Sequence, residues 1–280
     1  MVRSKLQQRI DAIVTNGLLS FFSIIMLFPI LYSFMTSFKS AENVITIPPT
    51  FFPVNWTLDG YRLATQGYLL NTYVPNSAIN ALAAAIISVT IATLASYVFS
   101  RYKFRGSQAL EIAILALFMI PGLTNLVSYY RIGTELKILN THTIIILVYA
   151  ATELPFGIWV MRSFFDAIPV ELEEAARVDG CTNVQALLKV TVPLAIPGIF
   201  TVFLLAVVYF WNEFLFAVTL LSNNAVRTAP VGLYDYQTTF EVSYHALNAA
   251  SMIILIPMVI LFIFGRKIFF RAMLEGALKG

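Results

Sequence analysis

Two groups of carboxylate side chains in this sequence are candidates for a functional role: a dense acidic stretch, and single acids within apolar runs. Residues 171–180 read ELEEAARVDG, a dense acidic group, and the single acids Glu153 and Glu213 each interrupt a long apolar run. An ionisable group inside an apolar span is costly unless it faces protein or water, so it is a candidate site by default. Catalysis would need a nucleophile beside a base, and the dense group contains no such pair. The dense group is therefore not expected to be catalytic, and Glu153 and Glu213 either face a cavity or form structural hydrogen bonds between helices.

The rest of the chain is strongly apolar. Of 280 residues, 59% are hydrophobic and 12% are charged, and the mean hydropathy is +0.79. A soluble domain carries about 25% charged residues. A helix needs roughly 20 apolar residues to cross a bilayer. Runs of about that length, uncharged or broken by one acid, occupy residues 12–38, 76–100, 112–130, 141–161, 195–221 and 246–265.

These six runs are predicted to be helices, because backbone groups in lipid must be paired within the spanning segment and the alternating pattern of barrel strands is missing. Lys and Arg gather in cytoplasmic loops, and most of the 18 basic residues lie in the two terminal segments and in the loops after the second and fourth runs. The sequence thus predicts an all-α polytopic membrane protein of one domain, residues 1–280, with both termini cytoplasmic. This topology accounts for the net charge of +3, so no nucleic-acid partner is expected.

The acidic stretch belongs to the loop between the fourth and fifth spans. Pro169 suits the start of a helix, Gly180 is placed to end that helix in the left-handed conformation, and Thr182 and Gln185 have the spacing of a capping box. Pro193 is expected to end the second helix. The loop is therefore predicted to be a helix, a glycine turn and a helix at the cytoplasmic surface.

Local chemistry leaves two interpretations of this helix pair. Arg177 is spaced to pair with Glu173 or Glu174 along one side of the first helix. The pair could dock on another protein, since Ala175 and Ala176 leave little side-chain bulk, or it could rest on lipid headgroups. Its acids argue against lipid, because interfacial helices usually present Lys and Arg to anionic headgroups.

The residues from Glu174 to Pro193, EAARVDGCTNVQALLKVTVP, resemble the EAA loop of binding-protein-dependent ABC importer permeases. That family's pattern is E-A-A-x3-G-x9-I-x-L-P, and this chain departs from it by placing Val190 and Val192 at the Ile and Leu positions. The segments LPF at 154–156 and WNEF at 211–214 are similar to the smaller, six-span subunit of maltose-type carbohydrate permeases.

The resemblance implies that the loop, about residues 166–193, is a coupling region that fits a groove on a cytoplasmic ATPase. The coupling residues that it implies are Glu174, Ala175, Ala176, Asp179, Gly180 and Pro193. It also implies a second homologous permease chain, two ATPase subunits and an extracytoplasmic solute-binding protein, in a bacterial or archaeal plasma membrane. The chain contains no phosphate loop of the form G-x-x-x-x-G-K-[ST]. ATP and Mg are therefore expected on partner chains, and no cofactor, metal site or catalytic residue is expected here.

A sugar cargo would need hydroxyl-matching polar groups and aromatic faces along the path. The candidates are Tyr149, Glu153, Tyr209, Trp211, Asn212 and Glu213, with Glu213 expected near the middle of the fifth span. A polyol or glycerol-phosphate cargo is the first alternative, although an anionic cargo would favour basic groups within the apolar runs. The others are an ion-coupled secondary transporter, which usually shows paired repeats, and an integral-membrane enzyme.

Overall fold

The computed structural model describes residues 5–237 and 242–277, and the regular elements in those ranges are helical apart from one β-bridge between Gln237 and Val242. The α-helices are α1 (Lys5–Thr36), α2 (Asp59–Gln66), α3 (Val74–Arg101), α4 (Ser107–Phe118), α5 (Gly122–Glu135), α6 (His142–Asp166), α7 (Glu171–Val178), α8 (Asn183–Ala186), α9 (Val192–Asn212), α10 (Leu215–Leu220), α11 (Ala229–Gly232) and α12 (Tyr244–Ala277). One π-helical turn, Leu69–Tyr73, precedes α3, and another, Leu187–Thr191, joins α8 to α9. The all-α prediction is confirmed.

Five helical segments in the described ranges are long and apolar enough to cross a membrane: Asp11–Thr36, Leu69–Arg101, His142–Asp166, Asn183–Asn212 and Tyr244–Ile268. The pair α4 and α5 passes the same test jointly and would make six, but its two helices meet at 93°. The run 112–130, predicted to be one helix, is therefore two helices with a sharp bend between them. Pro121 lies at the break, where it offers no N–H to continue α4 and disfavours helical backbone at the residue before it.

The fifth span differs from the prediction at both ends. Pro193 does not end a helix, because the helical segment runs from Asn183 to Asn212 without interruption. The N–H of Val192 bonds back five residues to the carbonyl of Leu187, which widens the helix by one residue just before the proline. Pro193 follows this turn directly, and the extra residue accommodates the proline ring and its missing N–H within the continuous segment.

The second span begins earlier than predicted for the same reason. Val74 bonds back to Leu69 through a π-helical turn, and Pro75 follows in the first turn of α3. The two sites read LLNTYVP and LLKVTVP, a shared pattern of L-L-x-x-x-V-P. In both, a proline that looks like a helix breaker is accommodated inside a longer helical segment.

The contacts of the chain fall into two compact units, one of Met1–Gly67 with Leu233–Leu255 and one of Tyr68–Gly232 with Ile256–Gly280. In the first unit Lys39 is buried, its Nζ donates to the carbonyl oxygen of Thr50 (2.5 Å) and lies 5.1 Å from the ring centre of Tyr32. Burial lowers the pKa of Lys39. The expectation that residues 1–280 form one functional domain remains a prediction.

The core of the second unit is formed chiefly by α3, α6 and α9. Small residues let these helices approach closely, which is how helices associate in a membrane. A Cβ on Gly157 would lie 3.1 Å from that of Ala92, and a Cβ on Gly198 would lie 2.4 Å from the ring of Phe164. This tightly packed trio positions the loop between α6 and α9.

Candidate functional site

The loop between α6 and α9 has the predicted local form of a helix, a glycine turn and a second helix. Gly180 follows α7 with φ +91°, the left-handed conformation that glycine adopts without steric cost. The capping box is also confirmed: Gln185 N–H donates to Thr182 Oγ1 (3.3 Å), and Thr182 N–H donates to Gln185 Oε1 (2.8 Å). The structure differs from the prediction beyond α8, because the second helix does not end at Pro193 but continues through a π-helical turn into α9.

One side of α7 faces outward. Its exposed residues at helical spacing are Glu171, Glu174, Ala175 and Val178, and we call these four the outer face of α7. Val178 is 88% exposed although it is apolar. Glu174 makes a long contact with Arg177, at 3.7 Å between Oε1 and Nη2, and both side chains are largely in solvent. This contact is worth little, so the Glu174 carboxylate is available to a partner.

The opposite side of α7 is anchored by Glu173. Its Oε1 lies 2.7 Å from Nε of Arg101 at the end of α3, and each side chain is only 7% exposed. Tyr97 donates its hydroxyl to Glu173 Oε2 (2.9 Å), and Arg101 Nη2 donates to the carbonyl oxygen of Ile168 (2.9 Å). Burial by itself would raise the pKa of Glu173, but the hydrogen bonds from Arg101 and Tyr97 and the charge of Arg101 lower it.

The anchor continues into a chain of polar contacts across neighbouring helix ends. Arg101 Nη1 donates to Ser100 Oγ (2.9 Å), which in turn donates to Asp166 Oδ1 (2.5 Å) at the end of α6. Arg162 pairs with Asp166 (3.4 Å) and with Glu111 in α4. We call this chain, from Glu173 to Glu111, the polar network. It connects α7 to α3, α6 and α4.

The polar network was missed by the sequence analysis. Helical spacing predicted that Arg177 could pair with Glu173. In the structure Glu173 pairs instead with Arg101, a residue 72 positions away. Arg101 and Arg162 are among the basic residues whose positions in the sequence predict only the topology. A signal was nevertheless present, because a basic residue ends the second predicted span and the acidic loop follows the fourth.

Glu213 does not lie in the middle of the fifth span, so that expectation is wrong. It follows α9 and precedes α10, and its carboxylate accepts hydrogen bonds from the backbone N–H groups of Phe216 (2.7 Å) and Ala217 (3.1 Å). Free N–H groups in the first turn of a helix favour a negatively charged acceptor. The hydroxyl of Tyr149 donates to the same carboxylate (2.9 Å). Glu213 therefore caps α10 and ties it to α6.

The other residues predicted to line the translocation path differ from one another in burial and in their contacts. Tyr149 is buried and stacks on Phe210, with ring centres 5.1 Å apart. Trp211 is buried, and Asn212 is exposed and bonds to its own helix at the carbonyl oxygen of Val208 (2.8 Å). Glu153 is 6% exposed and makes no hydrogen bond with any residue that the structure describes. The structure joins Tyr149 to Glu213 by a hydrogen bond and brings Tyr209 within electrostatic range of Glu153 and Glu213.

Tyr209, 48% exposed, is the only member of the predicted path set that lines a cavity found at the bend between α4 and α5. The cavity has a volume of about 560 Å³, within the usual range for ligand sites. Its lining residues come from five helices and the break between α4 and α5: Leu117, Phe118, Met119, Ile120, Pro121, Gly122, Asn125, Ser128, Tyr129, Ala151, Thr152, Pro155, Tyr209 and Phe216. We call it the bend cavity.

Comparison with known proteins gives consistent matches along nearly the whole chain. The family model for the binding-protein-dependent transport system inner membrane component matches residues 8–275. The sulfoquinovosyl glycerol transport system permease protein SmoH of Agrobacterium fabrum is 36% identical over 254 residues, covering 91% of this chain and 89% of its own. The trehalose/maltose transport system permease protein MalG of Thermococcus litoralis is 31% identical over 282 residues, covering all of both chains.

A solved structure shows the same fold. The crystal structure of a bacterial ABC transporter involved in the import of the acidic polysaccharide alginate matches with a TM-score of 0.79 and 24% identity. The match covers 95% of this chain and 99% of the other. The helical architecture of this chain is thus one that occurs in an ABC importer.

Proposed function

Since this chain belongs to the binding-protein-dependent transport system inner membrane components, we propose that it forms half of the path by which an ABC importer moves a sugar across the membrane. The observation that carries the proposal is the end-to-end match to a trehalose/maltose permease. The sulfoquinovosyl glycerol relative also bears a sugar in its name. No charged side chain is among the residues that line the bend cavity, which favours a neutral cargo over an anionic one.

The proposed assembly contains a second permease chain, two ATPase subunits and a solute-binding protein on the far side of the membrane. ATP and Mg are held by the ATPase subunits, this chain carries no cofactor of its own, and its termini lie on the ATPase side. The outer face of α7 enters a groove on the ATPase. There Glu174 meets basic groups, while Ala175 allows close approach of the partner backbone and Val178 loses its exposed apolar surface.

Two attachments would pass the movement of the ATPase to the spans. The polar network holds α7 to the ends of α3, α4 and α6. On the other side of Gly180, α8 continues into α9 as one helical segment. A shift of the loop therefore moves the helices that form the core of the second unit, and opens the path to one side and then to the other.

The test is transport by the assembled importer in lipid vesicles, with this chain tagged for purification. We expect ATPase subunits and a second permease chain to co-purify, and radiolabelled trehalose, maltose or diacetylchitobiose to be taken up when ATP and the solute-binding protein are present. Uptake should persist when an uncoupler removes the ion gradient. Uptake that stops with the uncoupler and ignores ATP would establish an ion-coupled transporter instead, and uptake of glycerol phosphate alone would replace the sugar assignment.

A further inference from the structure

We propose that the bend cavity is a binding site for a neutral sugar ring. This inference rests on the proposed function and deepens it, because it names residues outside the path set that the sequence suggested. The cavity lies where the helical pair α4 and α5 turns by 93°. Its walls are completed by α6, α9 and α10.

The cavity offers polar groups that the protein does not use. Asn125 and Ser128 both line it from α5, three residues apart and therefore on one side of the helix. Neither side chain makes a hydrogen bond with a residue in the described ranges. An amide supplies two donors and an acceptor, and a hydroxyl supplies one donor and an acceptor. Together they match the mixed donor and acceptor character of sugar hydroxyls.

Aromatic rings supply the apolar faces that a sugar ring needs. Tyr129 and Phe216 line one part of the cavity in an edge-to-face pair with ring centres 5.6 Å apart. Phe118 lines another part, where it stacks on Phe156 outside the lining. These contacts fix the rings before a ligand arrives, and preformed rings beside unsatisfied polar groups are typical of small-molecule sites.

Thr152 and Tyr209 add polar groups on the wall opposite α5. The hydroxyl of Thr152 donates to the carbonyl oxygen of Tyr149 (3.0 Å) and retains its acceptor capacity. The competing occupant of a cavity lined by candidate membrane-spanning helices is a lipid acyl chain. Such a chain would leave the amide of Asn125 and the hydroxyl of Ser128 unsatisfied, which costs free energy in an apolar setting, so the geometry favours the sugar.

The first experiment is ligand protection in the assembled importer. Ser128→Cys is reacted with a methanethiosulfonate reagent, and labelling at position 128 is read by peptide mass spectrometry, which separates it from the single native Cys181. A sugar that the same preparation transports should slow labelling at position 128 at least several-fold. Thr124→Cys is the matched control, because Thr124 is exposed on the same helix but is absent from the cavity lining. Its labelling should not respond to sugar.

The second experiment separates recognition from folding. Asn125→Leu in the Ser128→Cys background should raise the half-protecting sugar concentration about three- to tenfold, the effect of one lost neutral hydrogen bond. It should also change the ratio of uptake rates between maltose and trehalose, which a merely structural role would leave unchanged. Thr124→Val should alter neither.

The outcomes distinguish the two proposals. A wild-type importer that takes up none of the sugars would overturn the proposed function. Uptake of a sugar that leaves labelling at position 128 unchanged, or labelling that is slowed by added phospholipid and not by sugar, would overturn the site while the function stands.

Discussion

Removing the ion pair between Glu173 and Arg101 should release α7 from the rest of the permease. Both side chains are 7% exposed and their charged atoms are 2.7 Å apart, so screening by solvent offers little relief. Breaking a buried pair by deleting one partner costs about 3–5 kcal/mol. Arg101→Met leaves the Glu173 carboxylate with the Tyr97 hydroxyl as its side-chain donor and also removes the bond to Ile168. It should therefore cost more than Glu173→Gln, which leaves Arg101 bonded to Ile168 and Ser100.

Hydrogen exchange of the α7 backbone amides in the assembled importer measures this cost directly. A loss of about 3 kcal/mol raises the population of the open state, and with it the exchange rate, more than a hundredfold, since about 1.4 kcal/mol is tenfold. Amides in the middle of α6 should not change. Glu135→Gln is the control, because it breaks a 3.0 Å pair with Arg131 whose side chains are 64% and 80% exposed. An exposed pair of this kind is worth about 0–1 kcal/mol.

A second comparison tests whether the loss of protection in α7 comes from the unpaired buried charge or from the lost side-chain volume. Replacing both partners at once, with Glu173→Leu and Arg101→Met together, removes two buried charges and should recover part of the lost protection. Exchange in α7 that stays within tenfold of wild type after Arg101→Met, as it should in the control, would show that this ion pair does not anchor α7. The same conclusion would follow if the double variant were less protected than the sum of the single effects predicts.

Three further predictions concern single positions. Gly180→Val forces a branched side chain into φ +91° at a cost of about 1–2 kcal/mol; we expect ATP hydrolysis without uptake, and normal uptake would remove the coupling assignment. Gly198→Leu overfills the contact with Phe164 and should destabilise the assembled importer by about 1–3 kcal/mol, read as a lower melting midpoint in detergent. The lowered pKa of Glu173 means that its contribution to stability is present above the ordinary carboxyl value and is lost as pH falls through the lower folded-state value. Protection of α7 should therefore persist through pH 4.5 and disappear in stronger acid, unlike in Glu173→Gln.

Local features of the loop were predictable because they depend on residues that are neighbours in sequence. The left-handed Gly180 and the capping box of Thr182 and Gln185 each need only the residue types within one turn. The partner of Glu173 was not predictable in this way. Helical spacing favours Arg177 by a few tenths of a kcal/mol, whereas the packing of α3 against α6 brings Arg101 into a buried site where the interaction is much stronger.

The prolines are a second case in which residue types alone did not predict the structure. Pro193 was expected to end a helix but lies inside a continuous helical segment, and Pro121 was included within one helix but lies at a 93° break between two. The difference is in the turn that precedes each proline. Before Pro193, a π-helical turn supplies the extra residue that the ring requires, whereas before Pro121 the last N–H groups bond to carbonyls only three residues back and the helix stops. Residue type alone does not distinguish these cases, because the choice depends on what packs around the turn.

Gly180 lies between the two attachments of the loop to the spans, the polar network on the α7 side and the continuous helix from α8 into α9 on the other side. Before it, α7 is joined to α6 by the short turn 167–170 and is held to the ends of α3, α4 and α6 by the side chains of the polar network. After it, α8 is held by continuous helical backbone that becomes α9. Side-chain contacts can break one at a time, at a few kcal/mol each, while a helix transmits displacement as a rigid rod. A force applied to the outer face of α7 thus loads the Glu173 anchor first, and the anchor sets how much of the movement reaches α3 rather than α9. Variants of Glu173 should therefore shift the ratio of ATP hydrolysed to sugar transported, in proportion to the exchange of α7, while leaving the helical continuity of α9 intact.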